Sequence, residues 1–432
     1  MPARSRPTSS RPRAENRSRR WAGPCIAGAR ILTLPARRPL WVCRAGFIGR
    51  EGVLTVTQAV RARLIGGLIP SLAIVTALLI GGVIIWASGP RLDGPWFGIW
   101  FVVEAYQALI EGAFGSRAST IDTVLRTVPY VFTGLAVMVG FRGGMFNIGA
   151  EGQLAVGALA SAWVGFTVTS LPLVIHLPLV LLTGCLAGAI WGGIAGLLKA
   201  RTGAHEVITT IMLNYVGGQL AAYLLNGVLR DRSPLNVIAQ TPKVAETARL
   251  PDLVPGLHSG VILVIGVAVL VWFVLWKTTT GFELRMVGIN PDAAAYAGVN
   301  VVRRMTWAMG ASGMLAGLAG AVQVAGVNYR STLGFNVGYG FDSIAIALLG
   351  RNTVSGVVLS SILFAALRTG ATKLQFRTQI STDIISVIQA LVLLMIAADQ
   401  IIRWIYRIGP AQTEADPVAA STAPVADSES GR

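Results

Sequence analysis

Long uncharged apolar runs, separated by short polar or glycine-rich connections, dominate the chain from residue 64 onward. A helix that crosses the ~30 Å hydrocarbon core of a bilayer needs ~20 predominantly apolar residues. Residues 66–86, 171–198, 207–229, 260–276 and 305–327 predict spans on that count, with 127–141 as a further one. Residues 97–114 are apolar and aromatic but carry Glu104 and Glu111, which predicts an interfacial helix. Residues 334–350 are short and glycine-rich, and 354–367 and 383–402 complete the apolar part. With residues 146–166 included, the pattern predicts an all-α polytopic membrane protein of about 10 transmembrane helices. Residues 230–259 read as a polar, proline-rich loop, and 277–304 as a polar segment that is helical in places.

Composition supports this reading. The chain is 53% hydrophobic and only 13% charged, against ~25% charged residues in an average soluble protein. Its 50 glycines suit close helix packing in lipid. Gly184, Gly188, Gly192 and Gly196 recur every four residues on one helical face, and Gly313 and Gly317 do the same, with Gly310 and Gly320 close by. The formal charge of +16 is concentrated at the start. Residues 1–63 hold 14 arginines and two glutamates, +12 of the total. The basicity therefore marks a tail and excludes a nucleic-acid groove. Three readings fit that tail of 1–63, which is expected to be disordered. It is a targeting peptide, an anionic-lipid-binding arm, or the product of a translation start placed upstream of a true one near Val53 or Val56. Residues 403–432 are expected to form a second disordered tail. Basic residues in the loops divide almost evenly between the two sides. The basic tail, with Arg61 and Arg63 beside the first run, favours cytoplasmic termini.

Enzymatic signatures are missing from the sequence. It holds no GxxxxGK[ST] phosphate loop, no HExxH helix and no GxSxG elbow. The three histidines and three cysteines lie far apart and match no metal spacing. No metal, no cofactor and no catalytic residue is expected.

The unusual stretch is "MFNIGAEGQLAVGA", residues 145–158. It places Phe146, Asn147, Glu151 and Gln153 among glycines inside an apolar region. A carboxylate at the centre of a bilayer costs ~2.5–3.5 kcal/mol on insertion scales and usually faces protein or water. Asn147 and Glu151, four apart, are predicted on one helical face. Two readings stay open for Glu151. It lines or gates a pathway, or it clamps the backbone amides of a neighbouring broken helix. Asn214 in the next run and Asp342 in 334–350 extend the candidate set. Neutral amides at 147, 153, 214, 219, 226, 323 and 389 suit an uncharged polar solute, and Phe141, Phe146 and Tyr215 are candidates for stacking on it. There is also an internal echo. "GLAVMVGFRGGMFNIGAEGQLAVGAL", from Gly134, and "GLAGAVQVAGVNYRSTLGFNVGYGFDSIAIALLG", from Gly317, each run from an apolar span through a Gly/Asn-rich break to a carboxylate. Paired interruptions of this kind predict two related halves with broken helices around a transport site. In "KTTTGFELRMVGINPDAAAYAGVNVVRR", Asn290-Pro291 predicts a helix start, Asp292 suits its positive end, and Gly298 ends it.

Three of these stretches, "FNIGAEGQ", "GFELRMVGINPDAAAYAGVN" and "GFDSIAIALLGRN", resemble permease subunits of bacterial ABC importers. The broad group is the ribose and branched-chain amino acid permease superfamily. The likeness is greater to its nucleoside, simple-sugar-type branch, which works with a basic-membrane-protein-type lipoprotein. It covers about residues 64–402. It implies a permease that moves a nucleoside, with a purine favoured, across the bacterial inner membrane. It also implies a second permease, a cytoplasmic ATPase dimer that binds the ATP, and an external binding lipoprotein. Residues 277–304 would form the cytoplasmic coupling region, with Gly281, Glu283, Arg285, Gly288, Asn290, Pro291, Ala294 and Gly298 at matching positions. Ribose or another simple sugar is the second substrate class, branched-chain amino acids the third. An ion-coupled secondary transporter working through Glu151 and Asp342 is the alternative of another class.

Overall fold

The computed structural model describes residues 68, 71–87, 95–233, 238–334, 338–397 and 405–406. The expectations for tails 1–63 and 403–432 therefore fall almost wholly outside the described residues. Helices follow in the order α1 (Ser71–Ala87), α2 (Pro95–Phe114), α3 (Arg117–Arg142), α4 (Ala150–Thr167), α5 (Leu173–Thr202) and α6 (Glu206–Asn226). A short hairpin, β1 (Asp252–Val254) and β2 (Leu257–His258), separates these from α7 (Gly260–Lys277), α8 (Thr279–Ile289) and α9 (Pro291–Tyr296). The chain ends in α10 (Val301–Gln323), α11 (Tyr339–Leu349), α12 (Val354–Thr378) and α13 (Asp383–Ala397). Among the described residues, six helices are long and apolar enough to cross a membrane: α3, α5, α6, α7, α12, and α10 with its continuation to Asn328.

The differences from the predicted runs have local causes. Helix α3 begins ten residues before the predicted 127, because Ser116 caps it by accepting from the Ser119 N–H at 3.1 Å. Helix α12 runs eleven residues past the predicted 367 because its late cations find partners on α2. Lys373 reaches Glu111 at 3.0 Å, and Arg377 lies 3.4 Å from Glu111 and 4.0 Å from Glu104. The hairpin departs from the all-α expectation.

Small residues set the packing of the centre. Gly188 of α5 lies on the backbone of Gly313 and Gly317, Gly192 on Met309 and Gly313, and Gly157 of α4 on Gly317. Three helix backbones meet at Gly317, and a β-carbon there would strike the Gly184 carbonyl and the Gly188 α-carbon. Such approach replaces the hydrophobic drive that helices lack in lipid with van der Waals contact.

The two ends of the bundle differ. At one end Arg142 closes α3. Its guanidinium donates twice to the Asn352 carbonyl, at 2.9 and 2.8 Å, and lies 5.3 Å from the Trp276 ring centre. Gly288 of α8 packs on the Arg142 carbonyl and Gly144 there. At the other end the 238–259 segment is laid over α4 and α10. Ala245 donates to the Gly165 carbonyl, Leu250 to that of Ala325, and Val244 to that of Tyr329.

His258 fastens the hairpin. Its ring is buried on Gly326, and Nδ1 accepts from the Gly260 N–H at 3.1 Å. An accepting Nδ1 requires the neutral ring, and burial holds the imidazole below its ordinary pKa. An unfolded histidine protonates near about 6.5. The stability due to neutral His258 is complete above that pH and is lost as pH falls toward the lower folded value. The melting temperature of the solubilised protein should therefore drop more between pH 7.5 and 5 for wild type than for His258→Asn, whose amide oxygen accepts at any pH. Equal drops would remove His258 from this role.

Candidate functional site

Two helix starts meet inside the bundle. After α3, Gly143 donates back to Val139 and Gly140, and Gly144 takes a left-handed φ of 73°. The chain then stays non-helical until α4 opens at Ala150. The second break follows α10, which relaxes into a π-helix over Val324–Asn328 and turns at Tyr329, a non-glycine residue with φ 55°. After residues 329–338, α11 opens at Tyr339 behind Gly338, whose φ is 84°. Gly340 lies against the backbone of Ala150 and Glu151, where a β-carbon would collide.

Glu151 joins these starts. It is buried, lies in the first turn of α4, and accepts from the N–H groups of Gly338 at 3.1 Å and Gly340 at 2.6 Å. Helix starts leave N–H groups without intrahelical partners and carry partial positive charge. One carboxylate thus serves the positive ends of two helices. Both of its oxygens accept from backbone N–H groups.

Asn147 does not share a helical face with Glu151, because α4 begins three residues after it. Its Oδ1 accepts from the Gly149 N–H at 2.9 Å, and its Nδ2 donates to Gln153 Oε1 at 2.8 Å and Ser312 Oγ at 2.7 Å. Ser312 in turn donates to the Ala136 carbonyl at 2.5 Å. Asn214 of α6 holds the same break from outside. It accepts from the Gly152 N–H and donates to the Ile148 carbonyl, both at 2.8 Å. Asp342, in the first turn of α11, accepts from the Tyr130 hydroxyl at 2.8 Å, with Arg368 at 3.8 Å. Phe146 is partly exposed and stacks edge-on with Phe141, centroids 4.5 Å apart, so these two rings cover each other. Tyr215 points outward from α6. Asn147, Gln153, Glu151 and Asn214 thus converge on the start of α4, whereas Asp342 belongs to a separate cluster with Tyr130 and Arg368. Sequence reasoning missed Ser312, Tyr130 and Arg368. Tyr130 lies in an apolar run, and Ser312 looks like one more small residue of a packing stripe.

The expected coupling residues form a compact unit. Gly281 packs on the Val274 carbonyl and Leu275, joining α8 to α7. Glu283 pairs with Arg304 at 2.6 Å, and Arg285 lies 5.9 Å from the Trp276 ring centre. The Asn290 side chain caps α9, accepting from the N–H groups of Asp292 and Ala293 at 3.0 Å each, with Pro291 at the first helical position. Ala294 is fully buried, and Gly298 turns out of the helix at φ 83°. Ile289 and Tyr296 stand 86% and 96% exposed on this well-braced unit.

Residues 119–397 match the family model described as branched-chain amino acid transport system / permease component. The guanosine ABC transporter permease protein NupP of Bacillus subtilis is 40% identical over 78% of this chain and 95% of its own length. The glucose ABC transporter permease protein TsgB13 of Haloferax volcanii is 35% identical over 79% of this chain and 89% of its own. The nucleoside ABC transporter permease protein NupB of Lactococcus lactis subsp. cremoris is 34% identical, over 78% and 92%. The matched region takes in the whole α4–α11 junction and the α8–α9 unit. The chain belongs to the branched-chain amino acid transport permease family, and is a helical, multi-pass ABC permease component of the membrane.

Proposed function

We propose that this chain is the membrane-spanning subunit of an ABC importer and carries a purine nucleoside into the cell. The observation that carries this reading is the 40% identity to a guanosine permease over nearly that protein's whole length. The glucose relative favours a simple sugar as the second substrate class. An ion-coupled mechanism through Glu151 is disfavoured, because both carboxyl oxygens are already engaged by backbone amides. Uptake by the reconstituted importer should require ATP and survive an uncoupler. Uptake that collapses with the uncoupler alone would reverse the choice.

In this reading about ten crossings fall into two related halves. The order span, break, carboxylate-bearing helix recurs as α3–α4 with Glu151 and α10–α11 with Asp342, which supports the pairing. Both termini face the cytoplasm of a bacterial inner membrane. The partners are an ATPase dimer that binds the ATP, a second permease and an external binding lipoprotein. The chain itself has no ATPase site. Asn147, Glu151, Gln153, Asn214, Asp342 and Phe146 frame the pathway by fixing its broken helices.

The α8–α9 unit docks the ATPase. Large apolar side chains held out on a rigid mount are the anchors such an interface needs. Tyr296→Asp should leave permease abundance unchanged, while transport-stimulated ATP hydrolysis and uptake fall together by about tenfold or more, since anchor residues cost ~2 kcal/mol or more when lost. Unchanged hydrolysis and uptake would remove α9 from the interface.

A further inference from the structure

A small polar cavity of about 270 Å³ lies between α3, the π-helix after α10, and α11. Asp122, Arg126, Gln323, Asn328 and Tyr339 line it. Its volume is close to the lower end of the ~300–1,000 Å³ range of small-molecule clefts. Two larger grooves, of about 710 and 770 Å³, have almost wholly aliphatic and aromatic walls and offer little to orient a polar solute.

The cavity is built by an irregularity. π-Turns in helices are rare and are frequently found at functional sites. Here the turn Val324–Asn328 follows Gln323 and presents Asn328 to the cavity. Gln323 is 7% exposed, and its Oε1 has no hydrogen-bond partner. Buried polar atoms are nearly always paired, so an unpaired one in a residue that lines the cavity leaves acceptor capacity beside it. Gln323 and Tyr339 line the cavity together. Tyr339 directly precedes Gly340, the residue held by Glu151. A ligand in the cavity therefore sits on the junction of the two broken helices.

Its position along the bundle fits a site loaded from outside. Gln323 lies 22 residues beyond Val301, which adjoins the α8–α9 unit. At 1.5 Å per residue that is about 33 Å, the thickness of a hydrocarbon core. Asp122 and Arg126 lie near the start of α3, whose far end, Arg142, packs beside α8. The cavity is thus at the end of the bundle remote from the coupling unit.

We propose that this cavity is the outward subsite for the transported nucleoside, and that Asp122 and Arg126 read the edge of a guanine-type base. The ligand class rests on the nucleoside reading above. A carboxylate accepts and a guanidinium only donates. Four residues apart on α3, they present an acceptor and a set of donors on one face. Guanine offers adjacent N–H donors beside a carbonyl on that edge. Adenine puts a ring-nitrogen acceptor there, against the carboxylate. The amides of Gln323 and Asn328 meet the ribose hydroxyls.

The test is uptake of labelled guanosine, adenosine, ribose and glucose by the complete importer, with variants compared at equal membrane abundance. Asp122→Asn should lower guanosine uptake efficiency at least about tenfold, the loss expected for a hydrogen bond to a charged group, and leave adenosine unchanged or raised. Gln323→Leu should lower both. If wild type imports nucleosides and neither variant alters uptake or preference, the cavity is not the subsite, while the proposed function stands. If wild type imports a sugar and no nucleoside, the proposed function falls, and with it the assignment of Asp122 and Arg126 to a base.

Discussion

Glu151→Ala should abolish uptake and sharply lower the amount of folded permease. The substitution leaves the amides of Gly338 and Gly340 without an acceptor in a buried place where no side chain replaces it. A hydrogen bond to a charged group contributes ~1.5–3 kcal/mol, so loss of two is comparable with the marginal stability of a whole domain. It also removes the negative charge that two helix starts share. Glu151→Gln keeps one acceptor oxygen but turns an NH₂ toward the other N–H, so it should retain the fold better than alanine and still transport poorly. The readouts are monodisperse yield after mild solubilisation and uptake normalised to it. An alanine variant with wild-type yield and uptake would mean that the junction is held by other contacts.

The second large effect is expected at Gly317. Leucine there puts a side chain where α4, α5 and α10 touch through Gly157, Gly184, Gly188 and Gly317. Neither neighbouring helix can yield by rotating a side chain, because the groups in the way are backbone. Overpacking of a tight core costs ~1–3 kcal/mol when side chains can adjust, and occasionally more. The cost at a three-backbone contact should exceed that range and prevent assembly. Gly310→Ala is the matched control, because a β-carbon at Gly310 meets only the Ala189 carbonyl, at 3.7 Å. Loss of the leucine variant from the membrane with retention of the Gly310 variant is the expected pattern. Similar yields would show that these helices separate more readily than their geometry implies.

These predictions draw unequally on what the sequence disclosed. The spans α5, α6, α7 and α10 were legible as uncharged apolar runs, and the glycine stripe of α5 pointed at a backbone contact, although not at its partner. The first turns of α3 and the last of α12 were hidden because they carry charge. Asp122 and Arg126 face a cavity, and Lys373 and Arg377 meet the acidic face of α2, relations that exist only after folding. Glu151 stood out because a carboxylate in an apolar stretch needs a partner. Its partners were foreseen in kind, as backbone amides of a neighbouring broken helix, but not in place, because the N–H groups of Gly338 and Gly340 leave no mark in a sequence. The same holds for the π-turn after Gln323, which no composition announces. Asn147 was misplaced for a related reason. A four-residue spacing implies one face only within a continuous helix, and the helix starts at Ala150.

The central claim is that this chain is a passive permease driven by a separate ATPase through the α8–α9 unit. Its most direct test is affinity purification of the chain in mild detergent, with identification of whatever elutes in stoichiometric amount. The account predicts an ATPase bearing phosphate-loop motifs together with a second permease, and loss of the ATPase alone from the Tyr296→Asp complex. A permease that elutes by itself and still supports uptake after ATP is exhausted would contradict it.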